Sequence, residues 1–255
     1  LGCIGVHWSR PLAGTPKTVT ISHEADGWYI AISCADVPVD ALPPTGQETG
    51  LDLGVESFAP LAHGACICTP ASSRKAEAHG RRCQRRVARR VSRRGKGRQR
   101  RRRAVALLAR AHQHMRRQRT DFQHQTALAL VRAYDTIGHD EVRVATRVQT
   151  HSFAKSSSAA GGSAFLAILA CKAASAGKRV VAVDPAFSSQ RCSGCGVMVQ
   201  NGLSVRGHCC PECGTSLHRD QNAARTILRL GQSQAQNWPG YRRQASTWPV
   251  GASLA

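Results

Sequence analysis

Acidic side chains are scarce in this chain of 255 residues. Only 15 Asp and Glu stand against 36 Lys and Arg, which leaves a formal net charge of +21 at pH 7. Such an excess predicts a polyanionic partner, most simply a nucleic acid, with an acidic membrane surface as the alternative. Long apolar runs are also lacking. Because no stretch of about 20 apolar residues occurs and no signal peptide is recognised, we expect no membrane span.

Disulfide bonds are a further feature that the sequence argues against. The 11 cysteines are odd in number and come without a secretion signal. These conditions favour reduced thiols, and metal binding rather than disulfide pairing. We therefore expect a protein of the cytosol.

Four cysteines stand in two pairs, each with two residues between its members, and fourteen residues separate the pairs. A tetrahedral zinc site needs four thiolates about 2.3 Å from the metal, and two such turns supply them. The spacing therefore predicts a closed, structural zinc ribbon, the alternative being reduced thiols spaced so by chance. Cys209 does not fit this spacing and is interpreted as a bystander. The predicted ligands are Cys192, Cys195, Cys210 and Cys213.

A strongly basic region extends from residue 74 to 134 with helical spacing of its apolar and charged residues. The tripeptide GKG at 95–97 divides it, so we predict a basic αα-hairpin whose second helix begins near Gln99. Eighteen Lys and Arg and no acid occur from Arg81 to Arg119. Charges at that density repel one another, which indicates contacts to phosphates. The predicted nucleic-acid contacts are Arg81, Arg82, Arg85, Arg86, Arg89, Arg90, Arg93, Arg94, Lys96, Arg98, Arg100, Arg101, Arg102 and Arg103.

The other segments alternate between strand-like and helix-like patterns, which predicts an α/β fold. A hairpin is expected at 17–34, where two β-rich runs flank the turn residues EADG. Asp52 is expected at a strand of a buried sheet, where an unpaired charge is costly. A terminal helix is expected around Asp220. The other expected ranges are 53–59, 134–146 and 180–185 for strands and 163–179 for a helix.

Five motifs occur in an order that resembles one protein family. They are GLDLGVESFA, HMRRQRTDFQHQTALALV, YDTIGHD, GKRVVAVDPAFSSQRCSGCG and CPECGTSLHRDQNAARTIL. The same order is found in the TnpB (OrfB) proteins of insertion sequences, which are ancestral to type V CRISPR effectors. The resemblance extends from Lys17 to about Leu230. Since LGCIGVHWS at the start looks like the middle of a strand-rich region, we expect an N-terminally truncated copy.

The resemblance implies an RNase H-like (RuvC) nuclease core with a long basic helical insertion, an inserted zinc ribbon and a remnant of an N-terminal β-barrel. It implies a transposon-encoded, RNA-guided DNA endonuclease with guide RNA and target DNA as partners and no small-molecule substrate. It also implies a cytoplasmic bacterial protein that is associated with the nucleoid when it is bound to DNA. The sequence gives no oligomeric state. The implied domains are a barrel piece at 1–47, the core at 48–188 with the arm at 74–134, the zinc ribbon at 189–217, the last core segment at 218–232 and a disordered tail at 233–255.

The family's three metal-binding acids fall on Asp52, Asp140 and Asp220. The resemblance implies that they hold two Mg²⁺ ions, which prefer carboxylate oxygens. Glu141 is the alternate for Asp140, because the family shows Glu followed by Asp where this chain has the reverse order, and successive strand residues face opposite sides. Without the resemblance, Asp52 fits a strand-end turn, Asp140 fits a solvated loop and Asp220 fits a helix N-cap.

Two alternatives to a nuclease stay open at this point. The first is a nuclease-deficient relative or fragment that binds guide RNA and DNA without cutting, favoured by Asp140 in place of Glu and by the expected truncation. The second is a DNA-joining transposase, for which the chain offers no Tyr or Ser nucleophile in a recognisable setting.

Overall fold

The structure is a computed structural model that describes residues 5–38, 41–53, 58–68, 70–90, 98–141, 158–184, 186–200, 202 and 205–236. Its helices are α1 (Ala71–Ala88), α2 (Arg98–Ala133), α3 (Ser158–Ser175) and α4 (Arg219–Gln236). Its strands are β1 (Thr15–His23), β2 (Trp28–Ala35), β3 (Glu48–Leu51), β4 (Ala59–Pro60), β5 (Cys66–Ile67), β6 (Thr136–Asp140), β7 (Arg179–Val183), β8 (Gly207–Cys209) and β9 (Ser216–His218). Among these residues, none of the helices combines the length and the apolar character that crossing a bilayer requires.

The chain divides into two compact units, residues 1–40 with 72–119 and residues 41–71 with 120–255. The first unit contains a hairpin in which β1 and β2 pair antiparallel, from Thr15↔Ala35 to His23↔Trp28. The Glu24 N–H donates to the carbonyl of Gly27 (2.8 Å) and closes the turn. The hairpin predicted at 17–34 is therefore confirmed.

One face of the hairpin is apolar and open. Directly paired residues share a face, which puts Val19 with Ile32 and Ile21 with Ile30 on the same side. Val19 and Ile21 are nevertheless 59% and 53% exposed. An apolar strand face ordinarily packs on a core, so the described part of this unit leaves that face uncovered.

The basic helices form the rest of the first unit. Arg, Gln, Leu and Ala, which have high helix propensity, fill α1 and α2. Gly80 of α1 lies against Met115 of α2, since a Cβ at position 80 would stand 2.9 Å from Met115 Cε. The two predicted helices are confirmed, and residues 91–97, with the GKG break, lie outside the described residues.

A three-stranded parallel sheet in the order β3-β6-β7 forms the centre of the second unit. Leu51 is paired with His139, and Asp140 is paired with Val183. Helices cover both faces, as in parallel sheets generally, so Leu51 and Ile137 are fully buried. The predicted α/β class is confirmed.

Strand alternation assigns a different helix to each face of this sheet. Leu51 and Ile137 pack with Leu130 of α2 and with Phe165 and Leu169 of α3 in one hydrophobic core. The opposite face presents glycines to α4. A Cβ at Gly50 would lie 2.1 Å from the carbonyl oxygen of Ala224, and one at Gly138 would lie 3.2 Å from that of Ile227. The glycines let the helix backbone approach the strands closely.

Several expected boundaries differ from the structure. The strand expected at 53–59 is wrong at its start, because β3 ends at Leu51 and the Asp52 N–H donates to the carbonyl of Pro60 on the antiparallel return (3.3 Å). Residues 54–57 of that range lie outside the described residues, and Ala59 belongs to β4. The helix expected at 163–179 is shifted, since α3 is Ser158–Ser175. The tail expected from 233 is helical to Gln236, the end of α4, and residues 237–255 lie outside the described residues.

Candidate metal centres and nucleic-acid surface

The four paired cysteines meet in the second unit. Their sulfur atoms all lie within 4.8 Å of one another, and among the described residues no other group of three or more metal-ligating side chains meets that criterion. Cys192 Sγ lies 3.6 Å from Cys213 Sγ, and Cys195 Sγ lies 3.5 Å from Cys210 Sγ. A tetrahedron with metal–sulfur bonds of about 2.3 Å has edges of about 3.8 Å. The predicted grouping is therefore confirmed, and its donor set fits a tetrahedral soft-ligand ion.

Two copies of one turn build this site. After Cys192 the chain folds back so that the Gly196 N–H donates to the Cys192 carbonyl (2.9 Å), and after Cys210 the Gly214 N–H donates to the Cys210 carbonyl (3.0 Å). Gly196 and Gly214 have φ of +85° and +69°, where L side chains are strained. Cys209 lies outside the cluster, with its sulfur 3.5 Å from Ser216 Oγ, as expected for a bystander.

Cys195 and Cys213 differ in acidity within the cluster. A hydrogen bond with the Thr215 hydroxyl lowers the pKa of Cys213 to about 6. At Cys195 a backbone bond from Val197 works to lower the pKa, but loss of solvent and the neighbouring thiols outweigh it and raise the pKa to about 12. Like charges this close cannot all ionise without a cation between them. The cluster is therefore suited to a divalent ion.

Two of the predicted acids lie at neighbouring strand ends. Asp140 is the last residue of β6 and is 4% exposed. Asp52 directly follows Leu51, the partner of His139, so Asp52 and Asp140 take adjacent positions at the carboxyl end of the parallel sheet. Glu141 is exposed, and its N–H donates to the Val183 carbonyl (2.9 Å). Of the two candidates for the second acid, the structure buries Asp140.

The third predicted acid lies in the first turn of α4, which begins at Arg219. The Asp220 side chain is 16% exposed and stands 3.9 Å from His218 Nδ1. Asp220 precedes Ala224 by one helical turn, and Asp52 follows Gly50 by two residues. The close Gly50–Ala224 contact therefore sets the position of one acid-bearing segment against the other.

The three carboxylates are less compact than the cysteines. Asp52, Asp140 and Asp220 are all described, yet their oxygens do not form a group within 4.8 Å of one another. A pair of metal ions about 4 Å apart accepts a wider spread, because each carboxylate needs to reach only one of the ions. The structure thus brings two of the acids to one sheet edge and leaves the joint arrangement of all three a prediction.

Sequence reasoning missed the contacts that join α4 to the first cysteine turn. Asn222 is fully buried and bonds to the backbone of Arg191 and Ser193, and Thr226 and Arg229 reach the same segment. The available signal was a set of polar residues at positions i, i+4 and i+7 of the terminal helix, which lie near one another on one side of it.

The arginines of the basic arm fall into two groups. The first lines a groove along the end of α1 and the turn that follows it, and consists of Arg82, Arg85, Arg86, Arg89 and Arg90. Arg100 to Arg103 are exposed on α2, and Arg81 stands 3.5 Å from Glu77. Arg93, Arg94 and Lys96 lie outside the described residues, as does the side chain of Arg98. In the first group Arg90 donates to the Arg100 carbonyl (3.1 Å), and the other four arginines are exposed, as a phosphate-binding surface requires.

The second group of arginines binds carboxylates of the hairpin turn, which the sequence did not reveal. Arg116 lies 2.6 Å from Glu24, and Arg117 lies 2.6 Å from Asp26 and stacks over the Tyr29 ring (4.9 Å). Hydrogen bonds from Arg117 hold the pKa of the Asp26 carboxyl well below its usual range. These arginines serve the hairpin, so the expected phosphate contacts concentrate in the first group.

Two family models match this chain. Residues 30–150 match the OrfB model of IS605, described as "Probable transposase", and residues 163–227 match "Cas12f1-like, TNB domain". The first relative is "Putative RNA-guided DNA endonuclease" of Streptomyces pristinaespiralis, 33% identical over 98% of this chain and 62% of its own length. The predicted resemblance to the OrfB family is confirmed. A second relative is "Putative RNA-guided DNA endonuclease InsQ" of Escherichia coli K12, 27% identical over 91% of this chain and 61% of its own length.

Solved structures give a similarity of fold. A Cas12f1–sgRNA–target DNA complex aligns with a TM-score of 0.53 at 14% identity, over 82% of this chain and 55% of that one. A CRISPR–Cas12f ternary complex aligns with a TM-score of 0.54 at 18% identity, over 82% of this chain and 44% of that one. The chain thus spans less than two thirds of the length of the relatives and structures it matches.

Proposed function

We propose that this chain provides the nuclease portion of a transposon-encoded, RNA-guided DNA endonuclease. The observation that carries the proposal is the position of Asp52 and Asp140 at adjacent ends of two parallel strands. Asp220 lies on α4, the helix that packs against those strands. The names of both curated relatives support it. Fold similarity to two Cas12f complexes is consistent with the same activity.

The sheet and its helices would form the RNase H-like, RuvC-type core. Three parallel strands with α4 on one face and α2 with α3 on the other are consistent with such a core. The barrel piece would be 1–47, the main part of the core 48–188, the zinc ribbon 189–217 and the last core segment 218–232. The exposed apolar face of the hairpin supports its assignment to a larger β-structure such as a barrel.

The acidic residues would hold Mg²⁺ and the cysteines Zn²⁺. Bound at the acids, two Mg²⁺ ions supply an activated water and a charge that stabilises the leaving oxygen of a phosphodiester. Asp52 and Asp140 would orient those ions from the rigid sheet edge, and Asp220 would complete the set from α4. The Cys192, Cys195, Cys210 and Cys213 site is closed by four thiolates, so its ion would stabilise the ribbon.

The groove along the end of α1 would contact the backbone of a guide RNA–target DNA duplex. Arg82 and Arg85 lie one turn apart on α1, and the Arg89 N–H donates to the Arg85 carbonyl (3.1 Å) in the turn that follows, so the three guanidinium groups occupy one side. Contacts of this kind give affinity without reading sequence, which suits a protein that leaves recognition to base pairing.

The test is a cleavage assay on the complete gene product loaded with its guide RNA. Matching and mismatched DNA are incubated with Mg²⁺, with or without a chelator, beside Asp52→Ala and Asp220→Ala. We expect cutting of the matching DNA by the parent alone. Tight binding without cutting by the parent would replace the proposal with a nuclease-deficient binder, and joined strands would replace it with a transposase.

A further inference from the structure

Helix α4 carries two groups of contacts on different sides. Ala224 and Ile227 press against the sheet at Gly50 and Gly138. Asn222, Thr226 and Arg229 instead reach the segment 191–194, which contains the first ligand of the cysteine site. The same helix begins with Asp220. It therefore connects the cysteine cluster physically to the sheet edge where the acids lie.

The contacts to the cysteine segment are made to its backbone. The Asn222 side chain accepts a bond from the Ser193 N–H and donates one to the Arg191 carbonyl, both at 2.8 Å. Thr226 Oγ1 lies 3.2 Å from that same carbonyl, and Arg229 donates to the Ser193 carbonyl (2.8 Å). The paired donor and acceptor of one amide thus bracket Cys192, which lies between Arg191 and Ser193.

Burial makes the Asn222 contact costly to lose. Asn222 is 0% exposed and Thr226 is 3% exposed, so water has little access to the groups they satisfy. Removing one partner of a buried hydrogen bond leaves the other unsatisfied, which costs about 1–3 kcal/mol in general. Movement of the cysteine turn would therefore be passed to the start of α4, where Asp220 lies two residues before Asn222.

We propose that Asn222 is a positioning residue that couples the cysteine site to Asp220, so that an ion on the cysteines raises the affinity of the acids for divalent ions. This inference rests on the proposed role of Asp220. Carboxylate sites tolerate small displacements poorly, and residues that orient ligands change metal affinity about 10–100-fold when altered. Coupling between two binding sites is reciprocal.

The test measures Mn²⁺ binding to the complete chain by electron paramagnetic resonance, with zinc bound and after zinc is stripped. Mn²⁺ prefers oxygen ligands and so reports on the acids. We expect stripping to weaken Mn²⁺ binding about tenfold in the parent chain. The variant Asn222→Ala should bind Mn²⁺ about tenfold more weakly even with zinc bound, and stripping should add little.

Two further variants separate coupling from damage to the helix. Thr226→Val keeps the shape and removes one bond to Arg191, so an intermediate loss is expected. Gln232→Ala removes a bond from the same helix to Glu48 (2.8 Å) on β3. That control should keep the parent's dependence of Mn²⁺ affinity on zinc.

The reverse measurement follows zinc release to a chelator. Saturating Mn²⁺ should slow release from the parent chain and have no effect on Asn222→Ala. Unchanged Mn²⁺ affinity in Asn222→Ala with zinc bound would overturn the coupling. Should that variant not fold by circular dichroism, an unchanged affinity in Thr226→Val together with an unchanged zinc-release rate in the parent would overturn it.

Failure of the proposed function gives a different result. If Asp220→Ala binds Mn²⁺ as tightly as the parent, the acidic site itself is wrong, whatever Asn222 does. If Asp220→Ala loses Mn²⁺ binding while Asn222→Ala keeps it, the acidic site stands and the coupling fails.

Discussion

The cysteine cluster and the acidic sheet edge are two candidate metal sites built in opposite ways. The cysteines lie in two nearby turns with nearly the same hydrogen bonds, and their sulfurs meet at 3.5 and 3.6 Å. The acids come from β6, from the segment after β3 and from α4, and no single turn relates them. Short-range chain geometry thus suffices for the first site, whereas the second depends on helix and strand packing throughout the unit.

Loss of a cysteine ligand should give the largest effect on stability. Cys192→Ser should abolish zinc binding and cost about 4 kcal/mol or more, because structural zinc contributes its binding energy to folding. Zinc content by atomic absorption and unfolding in guanidinium measure both. Cys209→Ser is the matched control and should keep one zinc per chain and parental stability. Equal zinc loss in the two variants would contradict the assigned ligand set.

The carboxylate just before β6, Asp135, should contribute more to stability than the exposed carboxylate just after that strand, Glu141. Asp135 accepts bonds from the Thr45 and Gly46 N–H groups (2.9 and 2.6 Å) and from Lys178, whose side chain is 3% exposed. Asp135→Ala leaves that buried ammonium unpaired and should cost about 3 kcal/mol. Glu141→Gln, at an exposed side chain next to the end of β6, should change stability by no more than about 0.5 kcal/mol. Urea unfolding of the two variants tests the contrast.

The Asp135 carboxylate should also make the stability of the fold sensitive to acid. Partial burial works to raise the pKa of Asp135, but the bonds from Lys178 and the Thr45 and Gly46 amides outweigh it, and the pKa lies below its usual value. Its contribution is therefore present at neutral pH and is lost as the pH falls from about 4 towards the lowered pKa. Unfolding followed from pH 6 to pH 2 should show less loss in Asp135→Asn than in the parent.

Cleavage should depend on Asp140 and hardly on its neighbour. Asp140→Asn should lower the cleavage rate at least about 100-fold, since removal of a ligand exceeds the usual effect of residues that only orient ligands. Glu141→Gln removes a carboxylate of similar size at the next residue, where the side chain is exposed. It should change the cleavage rate by no more than about threefold. Rates are measured with guide RNA and matching DNA at saturating Mg²⁺. The reverse ranking would move the second acid to Glu141.

A methyl group at Gly50 should disturb the acidic site through packing alone. The added Cβ would lie 2.1 Å from the Ala224 carbonyl oxygen and 2.6 Å from the Leu228 nitrogen, both backbone atoms. Gly50→Ala should therefore destabilise the chain by about 1–3 kcal/mol and weaken Mn²⁺ binding. At Gly207 an added Cβ meets nothing within 4 Å, so Gly207→Ala should have neither effect.

Substitutions in the arm should give the smallest change, in the salt dependence of RNA binding. Each lost phosphate contact lowers the slope of log affinity against log salt by about 0.7–0.9. Arg85→Gln and Arg89→Gln, in the groove, should each show this change. Arg116→Gln should leave the slope as it is, because Arg116 binds Glu24. Fluorescence anisotropy from 50 to 300 mM salt measures the slopes, and equal slopes in all three variants would contradict the division.

Features that rest on short-range geometry could be predicted from the amino-acid sequence. The two C-x₂-C turns, the EADG hairpin turn and the arginine-rich helices follow from spacing, turn chemistry and helix propensity among near neighbours. The chain order of the motifs also identified the candidate acids by resemblance. The local structure at Asp52 was harder to predict. A strand was expected to continue beyond Asp52, whereas β3 ends before it at Leu51.

Tertiary structure alone decided which of these residues act together. In the sequence Asn222 looks like an ordinary polar helix residue. The structure shows that its side-chain amide bonds to the backbone of Arg191 and Ser193, the two neighbours of Cys192. Glu24 and Asp26 bind arginines that lie 92 and 91 positions away in the chain, and Gly50 meets Ala224 across most of the chain. Such contacts depend on packing between distant segments, which local propensity does not specify. The geometry of the cysteine site therefore follows mainly from the two turns that carry its ligands. The geometry of the acidic site depends on how α4 packs against the sheet.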